Sequence, residues 1–183
     1  GYHLLGGDPD LAAWMSFRVE SVTAYYRNIR EGLAAEMSRP VRLGCGPRSS
    51  AFSTLCGYDL AQLAEFMDFL LPKHYFWNRG FDGFVGTVFR YAETLCHWNP
   101  GLETKDALIV VEALFGIVLP GVEKLIDFEH AFSPEFFEQI VGQETRRAVA
   151  AVDDPNRIVP WLEAGRFPHD GDPLSPGDLQ QIL

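Results

Sequence analysis

Three short apolar runs constrain this chain more than any other feature. They are Val41–Gly46, Phe69–Trp77 and Arg157–Gly165, and segments of helical period lie between them. Strands that alternate with helices pair in parallel through right-handed crossovers, and such a chain folds as an α/β layer. In the last run Ile158, Val159, Trp161 and Leu162 lead to one carboxylate, Glu163, before Ala164 and Gly165 end it. An acid at the carboxyl end of a buried strand lies where parallel α/β barrels keep their chemistry. Pro72 and Pro160 stand inside two of the expected strands, and each removes a ladder donor there.

The segments between the runs read as helices. From Leu11 to Met37 the apolar positions Leu11, Met15, Val19, Val22, Tyr26, Ile29 and Leu33 recur every three or four residues. Trp14 and Phe17 are expected to widen the buried stripe of this helix, and Asp8 or Asp10 to cap it. Ser38-Arg39-Pro40 ends it. Pro47–Gly57, rich in Ser and Gly, is expected to be a loop. Asp59 then caps Leu60–Met67, with Gln62 as its capping-box partner. Further helices are expected over Phe81–Trp98 with Trp98 among its inward positions, over Lys105–Phe115 capped by Thr104, briefly after Pro120, and from Ser133-Pro134 to Val152 with Glu144 in step with the apolar positions. Arg166–Pro176 is a long loop after the third strand.

With 183 residues, 47% of them hydrophobic, the chain is long enough for one domain with a sizeable core. The net charge of −10 argues against nucleic acid and anionic membrane as partners, because both are polyanions. The longest apolar run, Ala107–Leu119, is interrupted by Glu112 and is too short to cross a bilayer. No signal peptide is visible, so a cytoplasmic location is the default expectation. Cys45, Cys56 and Cys96 have no zinc-knuckle spacing and read as buried thiols. Both ends read as cut: Gly1 replaces a starting methionine, and a helix launched by Ser175-Pro176 stops at Leu183.

Several residues are candidates for a site. Glu163 can act as nucleophile or general base, against the plainer role of an acid paired with Arg166 or Arg48. His74, Tyr75 and Trp77 crowd the end of the second run, with Tyr75 and Trp77 on one side and His74 on the other. His and Tyr pair with hydroxyls, and Trp stacks on a sugar face; the competing role is core packing. Trp161 precedes Glu163 by two residues and shares its face in a regular strand. Arg48 follows the first strand and can bind a hydroxyl or an anion, although a solvated loop arginine is the plainer reading and the one expected. Asp127, Glu129 and His130 have no known ligand spacing, so no metal and no cofactor is expected. Gly44-Cys45-Gly46 lacks the third glycine of a dinucleotide loop, and no nucleophile elbow surrounds Ser49, Ser50 or Ser53.

Three stretches together carry a family resemblance. They are Trp14-x-x-Phe17-Arg18-x-x-x-Val22, Asp68-Phe69-Leu70-Leu71-Pro72-Lys73-His74-Tyr75, and Ile158–Gly165 leading to Ser175-Pro176-Gly177-Asp178-Leu179. In these the chain resembles the C-terminal half of glycoside-hydrolase-like, amylase-like TIM barrels. The resemblance implies a partial (β/α)8 barrel, truncated at both ends, with residues 1–183 forming one partial barrel domain that lacks the final strand. It makes the three strands the fifth, sixth and seventh. It also implies hydrolysis of a carbohydrate by two carboxylates, one after the fourth strand and one after the seventh, where Glu163 stands. The first of these carboxylates is not in this sequence, so the isolated piece is expected to be inactive. The partners implied are a carbohydrate ligand and the missing remainder of the barrel. A non-catalytic sugar-binding or scaffold barrel is the alternative. A half-barrel leaves sheet edges and apolar surface uncovered, so the piece alone is expected to aggregate or to pair.

Overall fold

The computed structural model describes residues 7–76, 80, 83–129, 133–163, 176, 177 and 180. Its class is mixed α/β, and mostly helical. The chain divides into two compact units, one made of residues 2–73 and 145–161, the other of residues 1, 74–144 and 162–183.

The first unit opens with helix α1, Pro9–Glu36. Asp8 caps it: one carboxylate oxygen accepts from the amides of Asp10 and Leu11 at 2.9 and 3.0 Å, and Pro9 occupies the first turn, where its missing N–H costs nothing. Met15 and Thr23 are its fully buried positions. The stripe expected from the period is there, but Trp14 and Phe17 do not widen it. Both are more than half exposed and stack on each other at 5.7 Å. They sit on the flank of the helix that turns away from its neighbours.

Strand β1, Gly44–Cys45, runs parallel to β2, Phe69–Leu70, in the register Gly44 to Phe69 and Cys45 to Leu70. A parallel bridge joins Leu70 to Ile158. Backbone bonds continue the pattern on both sides of these short elements. Leu71 donates to Cys45 at 2.8 Å, Val159 donates to Leu70 at 2.8 Å, and Trp161 donates to Pro72 at 2.9 Å. The three apolar runs are therefore neighbours in chain order, as the alternation implied. They are shorter as strands than expected. Phe69–Trp77 gives β2 and then β3, Lys73–His74, with the break at Leu71-Pro72. In the third run the described residues form the bridge at Ile158 and then β4, Trp161–Leu162, beyond Pro160. Each break falls at a proline, which has no amide to donate. β3 and β4 form a second two-stranded sheet. Among the described residues the strands close no barrel.

One face of the first sheet is covered. Cys45 and Leu70 point into a core with Leu60, Leu63, Met67 and Ala148. Leu60 and Leu63 come from α3, Leu60–Ala64, where the Asp59 carboxylate accepts from the Gln62 amide at 3.0 Å and from its side-chain amide at 3.1 Å. The segment Pro47–Gly57 is not a loop. It holds α2, Ser50–Ser53, and a 3-10 turn over Thr54–Cys56. Phe52 and Ser53 are buried in it, and seven helical residues are too few for a period to be read. Gly57 closes the turn at φ +82°, and a β-carbon there would come within 2.8 Å of the Arg18 carbonyl of α1. Glycine meets both the conformation and the close approach.

Two charged side chains fasten this unit. Arg30 of α1 donates to the Asp68 carboxylate at 2.8 Å and to the Val41 carbonyl at 3.1 Å. The same carboxylate oxygen accepts from the Leu43 amide at 2.7 Å. Arg157 belongs to a 3-10 turn, Pro155–Arg157, and not to the strand. Its guanidinium donates to the carbonyls of Ala64 and Met67, satisfying backbone acceptors that α3 leaves at its end.

The second unit is helical and aromatic. α4 spans Phe84–Trp98 and α5 spans Thr104–Phe115. The amides of Phe84 and Val85, free at the start of α4, donate to the carbonyls of Tyr75 and Phe76, both at 2.9 Å. The buried stripe of α4 runs through Phe84, Val85, Val88 and Ala92, while Trp98, expected inside, is 73% exposed. Tyr91 meets Phe115 of α5 edge to face at 4.9 Å. α6, Pro134–Phe136, is capped by Ser133 and passes into a π-helical turn over Phe137–Val141 before α7, Gly142–Val152, whose residues from Thr145 on belong to the first unit. The wider turn lets Phe136, Phe137, Ile140 and Val141 all be buried. A leftover short helix after Pro120 is a 3-10 turn, Leu125–Glu129. No helix among the described residues is long and apolar enough to cross a membrane.

The Leu43 amide, with Arg30 beside it, holds the Asp68 carboxyl below its ordinary value of 3.8. A group whose pKa is depressed by folding adds stability above its unfolded value, and that stability is lost as pH falls through the folded one. Asp68→Asn is therefore expected to lower neutral-pH stability by about 1–2 kcal/mol and to flatten the loss of stability below about pH 4. Urea unfolding of both proteins across pH 2.5–7 measures this (range set by the ordinary carboxylate value, about 4); parallel curves would refute the role given to Asp68.

Candidate functional site

Ligands of open parallel sheets bind beyond the carboxyl ends of the strands. Here the chain beyond β1 is Gly46-Pro47-Arg48-Ser49, beyond β2 it is Leu71-Pro72-Lys73, and Trp161 follows Ile158 on the third segment. Pro47, Arg48 and Ser49 are all buried. The Ser49 hydroxyl donates to the Lys73 carbonyl at 2.8 Å, which ties the segment after β1 to the one after β2. Ser53 donates back to the carbonyls of Arg48 and Ser49, each at 3.1 Å. The expected solvated loop is thus a pinned turn, and Arg48 is 8% exposed.

The residues that alternate with the core positions of this sheet, Gly44, Gly46, Phe69 and Leu71, are half-buried or exposed. Parallel sheets ordinarily have both faces covered. On that side Gly44 and Gly46 contribute no side chain. Leu71 lies beside Gly44, where a β-carbon would come within 2.5 Å of its Cδ1. The Trp161 indole lies against Gly46, and is 50% exposed. The Arg42 guanidinium carbon stands 4.0 Å from the centre of the Phe69 ring. Aromatic and aliphatic surface with a planar ring in reach of solvent is suited to stacking on a ligand ring.

In the other unit His74 and Tyr75 alternate in burial. His74 is buried with Pro72 and Phe76 on one side of the extended run, and Leu71, Lys73 and Tyr75 are half-buried on the other. The His74 ring lies 5.1 Å from Phe76, which in turn meets Phe84 and Phe136. Neither ring nitrogen has a hydrogen-bond partner among the described residues. Burial pushes the imidazole down to about 4. His74 is therefore neutral at physiological pH, and it sits in an aromatic interior and not on an open face. Glu163 is half-buried and is the first residue after β4, as Tyr75 is after the adjacent β3. Trp77, Arg166 and His130 lie outside the described residues.

The remaining candidates take structural roles. Asp127 accepts from the amides of Glu123 and Lys124 at 2.9 and 2.8 Å, closing its own turn. No group of three or more metal-ligating side chains occurs among the described residues. Burial pushes the Cys45 thiol up to about 11, and Tyr26, hydrogen-bonded to it, is also raised by burial. A thiol held protonated in this way is a poor nucleophile. Two features escaped the sequence. Glu144 is 1% exposed, on a helix face whose period had marked it as one of the inward positions without regard to its charge. A largely apolar groove of about 530 Å³ runs between α4 and the Leu125–Glu129 turn, past Val85, Gly86, Phe89, Leu125 and Ile126, and it holds none of the expected site residues. Comparison with family models, with curated proteins and with solved structures returned no match.

His74 gives a measurable pH dependence. Its unfolded value is 6.5 and its folded value is about 4, so the unfolded chain takes up the proton first. Stability is expected to fall by roughly 3 kcal/mol as pH drops from 6.5 to 4 on account of this one group. His74→Leu should remove that part of the slope while leaving the rest. Denaturant titrations of the two proteins over this range check it; equal slopes would mean that His74 is solvated or paired.

Proposed function

We propose that this chain is the part of a glycoside-hydrolase-like parallel barrel that supplies the second catalytic carboxylate, Glu163. The observation that carries the proposal is positional. Glu163 immediately follows β4, on the last of three segments that run in chain order with helical crossovers, at the end where such folds bind ligands. The strands then count as the fifth, sixth and seventh of the barrel, and the remainder of the barrel continues the sheet beyond β1.

In this reading Glu163 attacks the anomeric carbon or activates a water, and an acid after the fourth strand protonates the leaving oxygen. The two carboxyl groups stand about 5 Å apart for retention, or roughly 6.5–9.5 Å for inversion. In this reading Tyr75, the first residue after β3, meets a sugar hydroxyl, and Trp161 stacks on a ring. Arg48 is held at the same end of β1 by the Ser49 and Ser53 hydrogen bonds. His74 contributes by packing. The net charge of −10 suits a neutral substrate better than a polyanion.

The half-exposed Trp161 favours one second reading, a barrel that binds carbohydrate without cleaving it. The test is hydrolysis of a panel of p-nitrophenyl glycosides by the full-length protein and its Glu163→Gln variant. Loss of about 10²–10⁴-fold in kcat with little change in KM is expected for the variant. Equal turnover by both proteins would sink the role of Glu163. Sugar binding by both without turnover by either would leave the binding reading in its place.

A further inference from the structure

We infer that the groove between the end of α1 and the segment leading from it into β1 binds a small monocarboxylate with an aliphatic tail, held by Arg39 and Arg30. The groove lies at the amino end of the first sheet, away from the strand ends considered above. The inference does not rest on the carbohydrate reading.

α1 ends at Glu36, and Met37 caps it by donating to the Leu33 carbonyl at 2.9 Å. The chain turns through Ser38-Arg39-Pro40 and passes on to β1. Arg30 joins the two walls that this makes, donating from the helix to the Val41 carbonyl at 3.1 Å. A groove of about 370 Å³ lies there, with Leu33, Ala34 and Met37 from the helix and Pro40, Val41 and Leu43 from the returning segment. That size is ordinary for small-molecule sites, which run from roughly 300 to 1,000 Å³.

Two guanidinium groups also line the groove. Arg30 is held in place, because Nη1 makes both the bond to Val41 and a 2.8 Å bond to Asp68. Its Nη2 and Nε donate to no described residue. Arg39 is exposed, and among the described residues it has neither an ion pair nor a hydrogen bond. Pro40 confines the backbone of Arg39 to extended conformations, so that backbone is ordered before a ligand arrives.

Charge selects the ligand. Asp68 balances Arg30, so with Asp68 counted the lining residues offer one net positive charge, that of Arg39. The carbonyls at the end of α1 add partial negative charge, and no basic residue stands in the last turn to offset them. A monoanion therefore fits better than a dianion, and the net charge of −10 opposes polyanions more strongly still. A planar carboxylate matches the fork of a guanidinium through two parallel bonds. The apolar walls then take up an aliphatic tail, which gains affinity with the area it buries.

The test uses octanoate as the probe, with 1-octanol and octylammonium as its neutral and cationic counterparts. Binding to the full-length protein is read from the methionine methyl resonances. Met37 lines the groove, and Met15, buried about 33 Å away along the same helix, is the internal control. Octanoate is expected to move the Met37 methyl saturably and to leave that of Met15 in place. 1-Octanol should bind about three- to tenfold more weakly, and octylammonium should not bind measurably. Arg39→Gln should lower octanoate affinity by about the same factor and leave that of 1-octanol unchanged. Ala34→Trp, which fills the groove from an exposed helix position, should abolish the binding of both. If Ala34→Trp lacks a cooperative thermal transition, Arg39→Gln and the 1-octanol comparison carry the same decision. No movement of the Met37 methyl in the wild-type protein overturns the site. Equal affinity for octanoate and 1-octanol, or unchanged octanoate affinity in Arg39→Gln, overturns the carboxylate assignment. None of these readouts involves turnover, so the role of Glu163 stands or falls separately.

Discussion

The hydrogen bonds that Leu70 and its neighbours make on two sides are the constraint on which the first unit depends. Leu71 donates to Cys45 on one flank, and the Leu70 carbonyl accepts from Val159 on the other. A parallel pair cannot be closed by a tight turn, so each of these contacts obliges the chain to make a long crossover. Residues 46–68 make the first crossover and residues 71–157 the second. The helices exist where they do because those crossovers must return the chain to the same side. Asp68 and Arg157 both secure the end of the short crossover that leads into β2, the first by holding Arg30 and the Leu43 amide, the second by satisfying carbonyls at the end of α3.

The two faces of this sheet do different work. The inward residues Cys45 and Leu70 supply the core and are matched by leucines of α3 and Ala148 of α7. On the other face glycine stands at two positions of the first segment, and the side chains of later segments lie over it. The covered face accounts for stability through apolar burial. The other face carries a half-exposed indole after the third segment and a guanidinium–phenyl pair at the amino ends of β1 and β2. In the second unit the aromatic residues Phe76, Phe84 and Phe136 interlock, and His74 is enclosed among such neighbours as a neutral ring.

How much of this was legible depended on length and on charge. α1 was readable to within two residues at its start, because twenty-eight residues give many turns of one period and Asp8-Pro9 marks the beginning. The three parallel segments and their order were readable from apolar runs separated by helical ones. Their lengths were not, because Pro72 and Pro160 interrupt the ladder without interrupting the alternation of burial. The helices at Ser50–Ser53 and Thr54–Cys56 were invisible, since Ser and Gly dominate the local sequence and tertiary contacts around Phe52 hold the turns. Of the candidate site residues, the position of Glu163 after a strand was legible, whereas the interior setting of His74 and the pinning of Arg48 were not.

By itself the sequence determined the alternation of strand and helix, the caps at Asp8, Asp59 and Ser133, and the acid that ends the third run. These follow from local periodicity and from side chains that bond to their own backbone neighbours. Only the tertiary structure decided that Trp14 and Phe17 face outward, that His74 is enclosed, and that the Trp161 indole lies against Gly46. Each of those depends on a surface contributed by a distant part of the chain, and a side chain carries no local mark of which distant surface it will meet.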